Sequence, residues 1–139
     1  MVAALDLAKY IVHKANGMNE SITHLKLQKI LYYVAGVFAG ALNKRAFSDR
    51  IEAWQYGPVV RNVYIEFCSW GALPLTYKED IKLDYGEKEM ELVDFIINQK
   101  ILYHRNINFT RRKVFVLPHI LPFSAKRKTE EKIFRFVLY

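Results

Sequence analysis

Apolar residues recur every three or four positions along much of the chain, a spacing that places them on one side of a helix. This pattern predicts a first helix over residues 2–16. It predicts a second helix that begins after Ser21 or Thr23, either of which can cap it, and that ends near Leu42. A later helix is predicted over residues 87–99, with its acidic residues in the first turn, where the helix dipole favours them.

The pattern changes between the second and the last helix. Apolar and polar residues alternate over residues 51–56, which predicts a short extended segment. A further helix is predicted from Pro58, since proline is favoured in a first helical turn, and Gly71 marks its end. We expect it to bury Val59 or Val60, Val63, Tyr64, Phe67 and Trp70. The fold class predicted is therefore an all-α or α-dominated single domain of about four helices, with one short extended segment and an irregular C-terminal tail.

The second helix has two different faces, and Asn43 is its predicted stop. One face is apolar and suits the core: Leu27, Ile30, Leu31, Val34, Phe38, Ala41 and Leu42. The other face carries two lysines, a tyrosine and two glycines: Lys26, Lys29, Tyr33, Gly36 and Gly40. The lysines are either solvated or paired with a carboxylate, which is Glu52 or Glu66 within the fold or an acid on a partner. The glycines would admit a close backbone, from this chain or from a second copy.

Length and composition bound the class of protein. The chain has 139 residues, 52% of them hydrophobic and 25% charged, which is typical of one globular domain. The single cysteine, Cys68, excludes an internal disulfide framework and favours a reducing compartment. The longest apolar run, residues 30–42, is shorter than a membrane span, and the N-terminus has no basic leader. We therefore expect a cytoplasmic protein without a membrane segment.

The positive charge is confined to one end. Residues 100–139 hold ten Lys and Arg against two Asp and Glu, whereas residues 1–99 are close to neutral. Within the basic segment, residues 111–113 and 126–128 have aromatic neighbours, a combination that can grip a phosphate backbone and stack bases. A solvated basic tail explains the same composition and is favoured, because no nucleic-acid module accompanies it. A nucleic-acid-binding regulator is therefore the alternative function.

The residue types that catalysis or metal binding needs are present but scattered. The four histidines are far apart in sequence, and Cys68 has no histidine or second cysteine at ligand spacing. No glycine-rich phosphate loop occurs. We predict no catalytic residue, no metal and no cofactor.

Aromatic residues are concentrated in one short stretch instead. Trp54, Tyr56, Tyr64, Phe67 and Trp70 lie within 17 residues of each other. Most such clusters form core, because aromatic side chains bury large areas. Exposed members of the cluster would act as anchors for a protein partner.

Two blocks of the sequence, residues 21–47 and 51–71, together resemble a known family. The first block has the pattern K-L-Q-K-x-L-Y followed by a glycine-containing helix, and the second has E-A-W-x-Y-G-P-V. These motifs resemble the Panacea domain, also described as the SocA-like or phage-associated GepA-like domain. The motif residues to which we assign structural roles are Leu27, Gln28, Tyr32, Gly36, Glu52, Gly57 and Pro58.

The resemblance implies a helical domain of bacteria, phages and mobile elements. It implies an antitoxin that neutralises a cognate toxin by direct protein contact, and in one described member delivers the toxin to a bacterial protease. The surface we expect to contact the toxin combines Lys26, Lys29, Tyr33, Trp54, Gln55, Tyr56 and Arg61. The identity of the toxin and the oligomeric state stay open.

The end of the chain departs from the family. Its usual C-terminal motif is missing after Gln99, where the charge also changes. We therefore divide the chain into a Panacea-like domain, residues 1–99, and a basic segment, residues 100–139. That segment is either divergent or out of frame, or it is an extension particular to this lineage.

Overall fold

The computed structural model describes residues 1–102. The described part contains four α-helices and one two-stranded antiparallel sheet, which confirms the predicted helix-dominated fold. The predicted irregular tail lies outside the described residues. The elements are α1 (Ala4–Gly17), α2 (His24–Val37) continued by a π-helical turn (Phe38–Leu42), β1 (Ile51–Trp54), β2 (Gly57–Val60), α3 (Arg61–Phe67) continued by a 3₁₀ turn (Cys68–Trp70), and α4 (Glu87–Leu102).

Helix α2 is the centre of the fold. It packs against α1, α3 and α4 and against strand β2. Its predicted core face is largely confirmed, and the following side chains of α2, its π-helical turn and its neighbours are fully buried: Leu7, Ile11, Leu27, Leu31, Val34, Phe38, Ile96 and Ile97. Each such side chain contributes about 1.5–3 kcal/mol by leaving water.

Both ends of α2 are set by local chemistry. The Thr23 hydroxyl accepts a hydrogen bond from the Lys26 backbone N–H at 3.3 Å, so Thr23 is the cap. The π-helical turn ends at Asn43, which adopts a left-handed conformation with φ of 53°, as the predicted stop requires.

The whole helical stretch His24–Leu42 is long and apolar enough to cross a membrane by length and composition alone. Of its most apolar window, 44% is buried inside the fold. A core helix of a soluble protein passes the same test.

The segment around Pro58 differs from its prediction. The predicted extended segment is confirmed over Ile51–Trp54, but residues 55 and 56 form the turn of a β-hairpin. Pro58 lies in strand β2 instead of a first helical turn. Gly57 closes the two-residue turn with φ of 122°, a conformation that favours glycine. Pro58 faces Ala53 across the hairpin, and α3 begins only at Arg61.

The connection between α3 and α4 runs as a loop, as predicted, and is fastened to the helices. Buried Leu75 donates its backbone N–H to the Ile22 carbonyl at 2.8 Å. The Asn16 side chain donates to the Leu75 carbonyl at 3.1 Å and accepts from the Tyr77 N–H at 2.9 Å. The Asn16 amide thus satisfies two backbone groups of the loop, the Leu75 carbonyl and the Tyr77 N–H, that would otherwise need other partners.

The predicted close approach of another backbone at Gly36 is not found in residues 1–102. A Cβ built on Gly36 would meet no heavy atom within 4 Å. Within residues 1–102, the face of α2 around Gly36 is therefore open to a methyl group. A close contact there with a second copy of the chain stays a prediction.

Candidate partner-binding surface

The hairpin is clamped to α2 by the buried side chain of Gln28. The amide oxygen Oε1 accepts the Val60 backbone N–H at 2.9 Å, and Nε2 donates to the Val60 carbonyl at 3.4 Å. Gln28 is 3% exposed, so both groups would stay unsatisfied without this pair. The glutamine of the first motif block therefore joins it to the second.

The base of the hairpin has a second polar attachment at Asp49. Its carboxylate accepts the Ala4 backbone N–H at the start of α1 at 2.8 Å and the Asn62 side-chain amide at 2.7 Å. The open end of the hairpin, where Ile51 pairs with Val60, is thus tied to α1 and α3 through Asp49 and to α2 through Gln28.

On the solvent side of the hairpin, Glu52 organises two neighbours. The guanidinium of Arg61 donates to both carboxylate oxygens, at 3.0 and 2.9 Å, and the Trp54 indole N–H donates at 2.7 Å. These hydrogen bonds, that of Arg61 foremost, lower the pKa of the Glu52 carboxyl. The lysine–Glu52 clamp expected from sequence is not what the structure shows, because Arg61 holds this carboxylate.

Aromatic rings cover the same side. The Trp54 and Tyr64 rings lie 4.8 Å apart between centroids, and the Arg61 guanidinium lies 5.9 Å from the Trp54 ring. Tyr64 in turn meets the ring of buried His24 edge-on at 5.2 Å. We call Trp54, Tyr56, Arg61 and Tyr64 the hairpin patch.

The hairpin patch is open to solvent although most of its side chains are fixed. Trp54 is 36% exposed, Tyr64 37% and Tyr56, at the turn, 83%. Tyr64 was predicted to be buried, but the buried residues of α3 are Val63 and Phe67, which leaves Tyr64 at the edge of that face.

His24 lies beneath the patch and is unusual for a buried residue. It is 7% exposed, and its Nδ1 atom has no hydrogen-bond partner among residues 1–102. Burial lowers the pKa of the imidazole, so the neutral form is favoured. Sequence gave no signal for this residue, because a lone histidine beside a cap has no distinctive pattern.

The predicted contact residues divide into two groups. Trp54, Gln55 and Tyr56 lie together in the hairpin and its turn, with Arg61 beside them. Tyr33 lies elsewhere: it is half-buried, and the Lys100 ammonium of α4 sits 3.6 Å from its ring centroid. Burial raises the pKa of Tyr33 and lowers that of Lys100.

The two lysines of the predicted surface lie on α2. Lys26 is half-buried, and its backbone N–H donates to the hydroxyl of the cap residue Thr23. Lys29 is exposed. Their role in binding stays a prediction.

The structural motif residues occupy defined places. Leu27 and Gln28 are buried, and Tyr32 is partly buried, which raises the pKa of its hydroxyl. Glu52, Gly57 and Pro58 build the hairpin. Gly36 borders open space, as described above.

The described residues were also compared with what a metal site or a ligand pocket requires. No three His, Cys, Asp or Glu side chains gather among residues 1–102 as a metal site would need. An open groove of about 500 Å³ lies between the end of α1 and residues 74–78, near His13 and Asn16. The hairpin patch brings two of the exposed aromatic side chains, Trp54 and Tyr64, into ring contact, and its role in binding stays a prediction.

A comparison with protein families matches residues 27–128, about three quarters of the chain, to the family described as antitoxin SocA-like, Panacea domain. The chain belongs to the SocA-like Panacea antitoxin family. No curated protein and no solved structure matches it significantly.

The family match includes the helix, clamp and hairpin described above. Both motif blocks of the Panacea domain meet physically at Gln28 and Val60. The matched range also crosses residue 99, and the division into residues 1–99 and 100–139 stays a prediction. The basic groups at 111–113 and 126–128, and with them the alternative of nucleic-acid binding, lie outside the described residues.

Proposed function

We propose that this protein is a non-catalytic antitoxin that neutralises a cognate toxin by direct protein contact through the hairpin patch. Membership of the SocA-like Panacea family supports the antitoxin role in general. The observation that carries the finer proposal is the exposed pair Trp54 and Tyr56 on a hairpin whose backbone is clamped from below. We expect the neutralisation to take place in the cytoplasm.

The physical case for the patch rests on preorganisation. Trp54 is held by Glu52, Tyr64 and Arg61 before any partner arrives, so little side-chain entropy remains to be lost on binding. Tryptophan, tyrosine and arginine are the residues that dominate measured interface energies. The Tyr56 side chain is 83% exposed, so a partner that covers its ring removes a large apolar area from water.

The charges in the patch predict how binding depends on salt. Arg61 is already paired with Glu52, so the pair brings little unbalanced charge to an interface. Binding by the patch should therefore change little with ionic strength, whereas binding of nucleic acid by the basic segment should weaken steeply.

Delivery of the toxin to a protease is a separate part of the proposal and requires the toxin complex to form first. The test is the rate of toxin degradation by a purified bacterial protease with and without this protein. Faster degradation supports an adaptor role, and an unchanged rate limits the protein to neutralisation by binding.

The direct test is co-expression in bacteria with the protein encoded by the adjacent gene. Growth arrest by that protein, relieved by the full chain with recovery of a complex, is the expected result. Tyr56→Ala and Trp54→Ala should abolish or weaken the rescue. Leu73→Ala, which removes an exposed apolar side chain outside the patch, should preserve it. Rescue that is unaffected by both hairpin variants would contradict the proposed surface.

A further inference from the structure

The two edges of the hairpin are not equivalent. In an antiparallel pair, the N–H and C=O of one residue point to the same side, and successive residues alternate sides. Both groups of Val60 bond to Gln28, so they point away from β1. The outward-pointing residues are therefore Val60 and Pro58 on β2 and their cross-strand partners Ile51 and Ala53 on β1.

The outer edge of β2 is closed to further pairing. Val60 is satisfied by Gln28, and Pro58 has no backbone N–H to offer. Proline and covering elements are common means by which proteins protect a sheet edge from pairing with another chain.

The outer edge of β1 has no such protection from any part of the chain that the structure describes. Ile51 and Ala53 each present an N–H and a C=O outward, and within the described residues the structure gives these groups no hydrogen-bond partner. Ala53 is exposed and has no side chain large enough to shield its backbone. The edge also runs directly into Trp54 and the turn that carries Tyr56, so it is continuous with the hairpin patch.

We propose that β1 is a docking edge for an extended segment of the toxin, which adds a third strand to the hairpin. This inference rests on the proposed function and specifies how the partner binds. Main-chain hydrogen bonds to Ile51 and Ala53 would supply affinity, and the flanking side chains would supply selectivity. The fitting segment is short, because β1 has only four residues.

The charges and rings beside the edge define the chemistry of that segment. Arg50 directly precedes β1, is exposed and acts electrostatically on Glu52, whose carboxylate is already bonded to Arg61. A carboxylate on the incoming strand near Arg50 completes the charge balance. At the other end of β1, an apolar side chain packs beside Trp54.

A second copy of this chain fits the edge less well. Pairing β1 with β1 antiparallel so that Ile51 bonds to Ala53 of the other copy sets the two Glu52 side chains opposite each other. Like charges directly opposite are destabilising. The toxin segment is therefore favoured as occupant over self-pairing.

The test is residue-resolved amide hydrogen exchange on the full chain, alone and in complex with the protein encoded by the adjacent gene. The Ile51 and Ala53 amides should exchange rapidly in the free protein and at least about tenfold more slowly in the complex. The Glu52 amide, which faces β2, serves as the internal reference. A complex in which Ile51 and Ala53 exchange as fast as before would overturn the docking edge and leave the proposed function intact.

A pair of variants separates strand addition from simple covering of the edge. Ala53→Pro removes an outward N–H without removing a hydrogen bond of the hairpin, because the Ala53 N–H points away from β2. It should weaken binding about tenfold or more, whereas Ala53→Thr, which keeps the N–H, should bind nearly as the wild type does. Equal binding by both variants, with unchanged melting, contradicts strand addition.

Two further outcomes are distinguishable. Failure of the adjacent-gene product to form any complex overturns the proposed function and this inference together. Protection of Ile51 and Ala53 in the free protein that increases with protein concentration assigns the edge to a second copy instead.

Discussion

Helix α2 meets two kinds of neighbour, and the contrast separates what holds the fold from what is left for a partner. On one side, α1 and α4 bury apolar side chains against it. On the other side, the hairpin is held by the amide of Gln28 and carries its aromatic rings outward. The contacts with α1 and α4 bury apolar side chains and so stabilise the fold. The hairpin leaves the aromatic rings of Trp54 and Tyr56 exposed, where a partner can reach them.

This difference predicts that stability and binding can be changed independently. Substitutions in the apolar contact should lower the free energy of unfolding, while substitutions of Tyr56 should leave it nearly unchanged. Substitutions of Gln28, which clamps the hairpin to α2, should lower both the free energy of unfolding and the affinity for the partner.

The largest expected effect is on the apolar side. Leu31→Ala leaves a cavity at a fully buried position of α2 and should lower the free energy of unfolding by about 2–5 kcal/mol. Leu25→Ala, at an exposed position of the same helix, should change it by less than about 0.5 kcal/mol. Urea unfolding of both variants measures the difference, and equal losses would show that the two faces do not differ.

The next effect is at the clamp. Gln28→Leu keeps the volume but leaves the Val60 N–H and C=O without partners, which should cost about 1–3 kcal/mol of unfolding free energy. Because the hairpin then loosens, binding of the toxin should weaken as well. Gln55→Leu, an exposed glutamine in the turn, is the stability control. A stable Gln28→Leu variant with normal binding would refute the clamp.

A smaller effect concerns pH and His24. Burial lowers the pKa of His24 in the folded protein below its ordinary value of 6.5, so the unfolded chain binds the proton more readily. Stability should therefore be complete above pH 6.5 and should decline as the pH falls below it. The decline should be reduced in His24→Gln, which does not titrate in this range, and thermal melts between pH 7.5 and 5 test this. An identical decline in both proteins would exclude His24 as its source.

The smallest effect is on the exposed carboxylate of the patch. The pKa of Glu52 is lowered in the folded protein, so its interactions with Arg61 and Trp54 persist above the ordinary carboxyl range and are lost as the pH falls through the lowered value. Fluorescence of Trp54, measured in a Trp70→Phe background, should change over this acidic range. Glu52→Gln should remove that change, and a titration that persists in this variant must come from another group.

The sequence was informative where one local pattern decides the structure. Helical spacing located α1, α2 and α4, and the stop at Asn43 was correct to the residue. The two motif blocks indicated the family that the family comparison confirms.

The sequence was misleading or silent where two distant segments decide the structure together. Pro58 suits a first helical turn as well as a non-hydrogen-bonded strand position, and the choice depends on Ala53 across the hairpin. The burial of Gln28 follows from its two bonds to Val60, which lies 32 positions away. For Glu52, the sequence offered an α2 lysine as one of several possible partners, whereas in the structure Arg61 holds it.

The most direct test of the account is the affinity of the full chain for the adjacent-gene protein, compared between wild type and Tyr56→Ala by calorimetry. The account predicts at least about tenfold weaker binding for Tyr56→Ala with an unchanged melting temperature, because this ring is 83% exposed. Wild-type affinity in this variant, or a loss of affinity accompanied by unfolding, would contradict the separation of binding from stability on which the account rests.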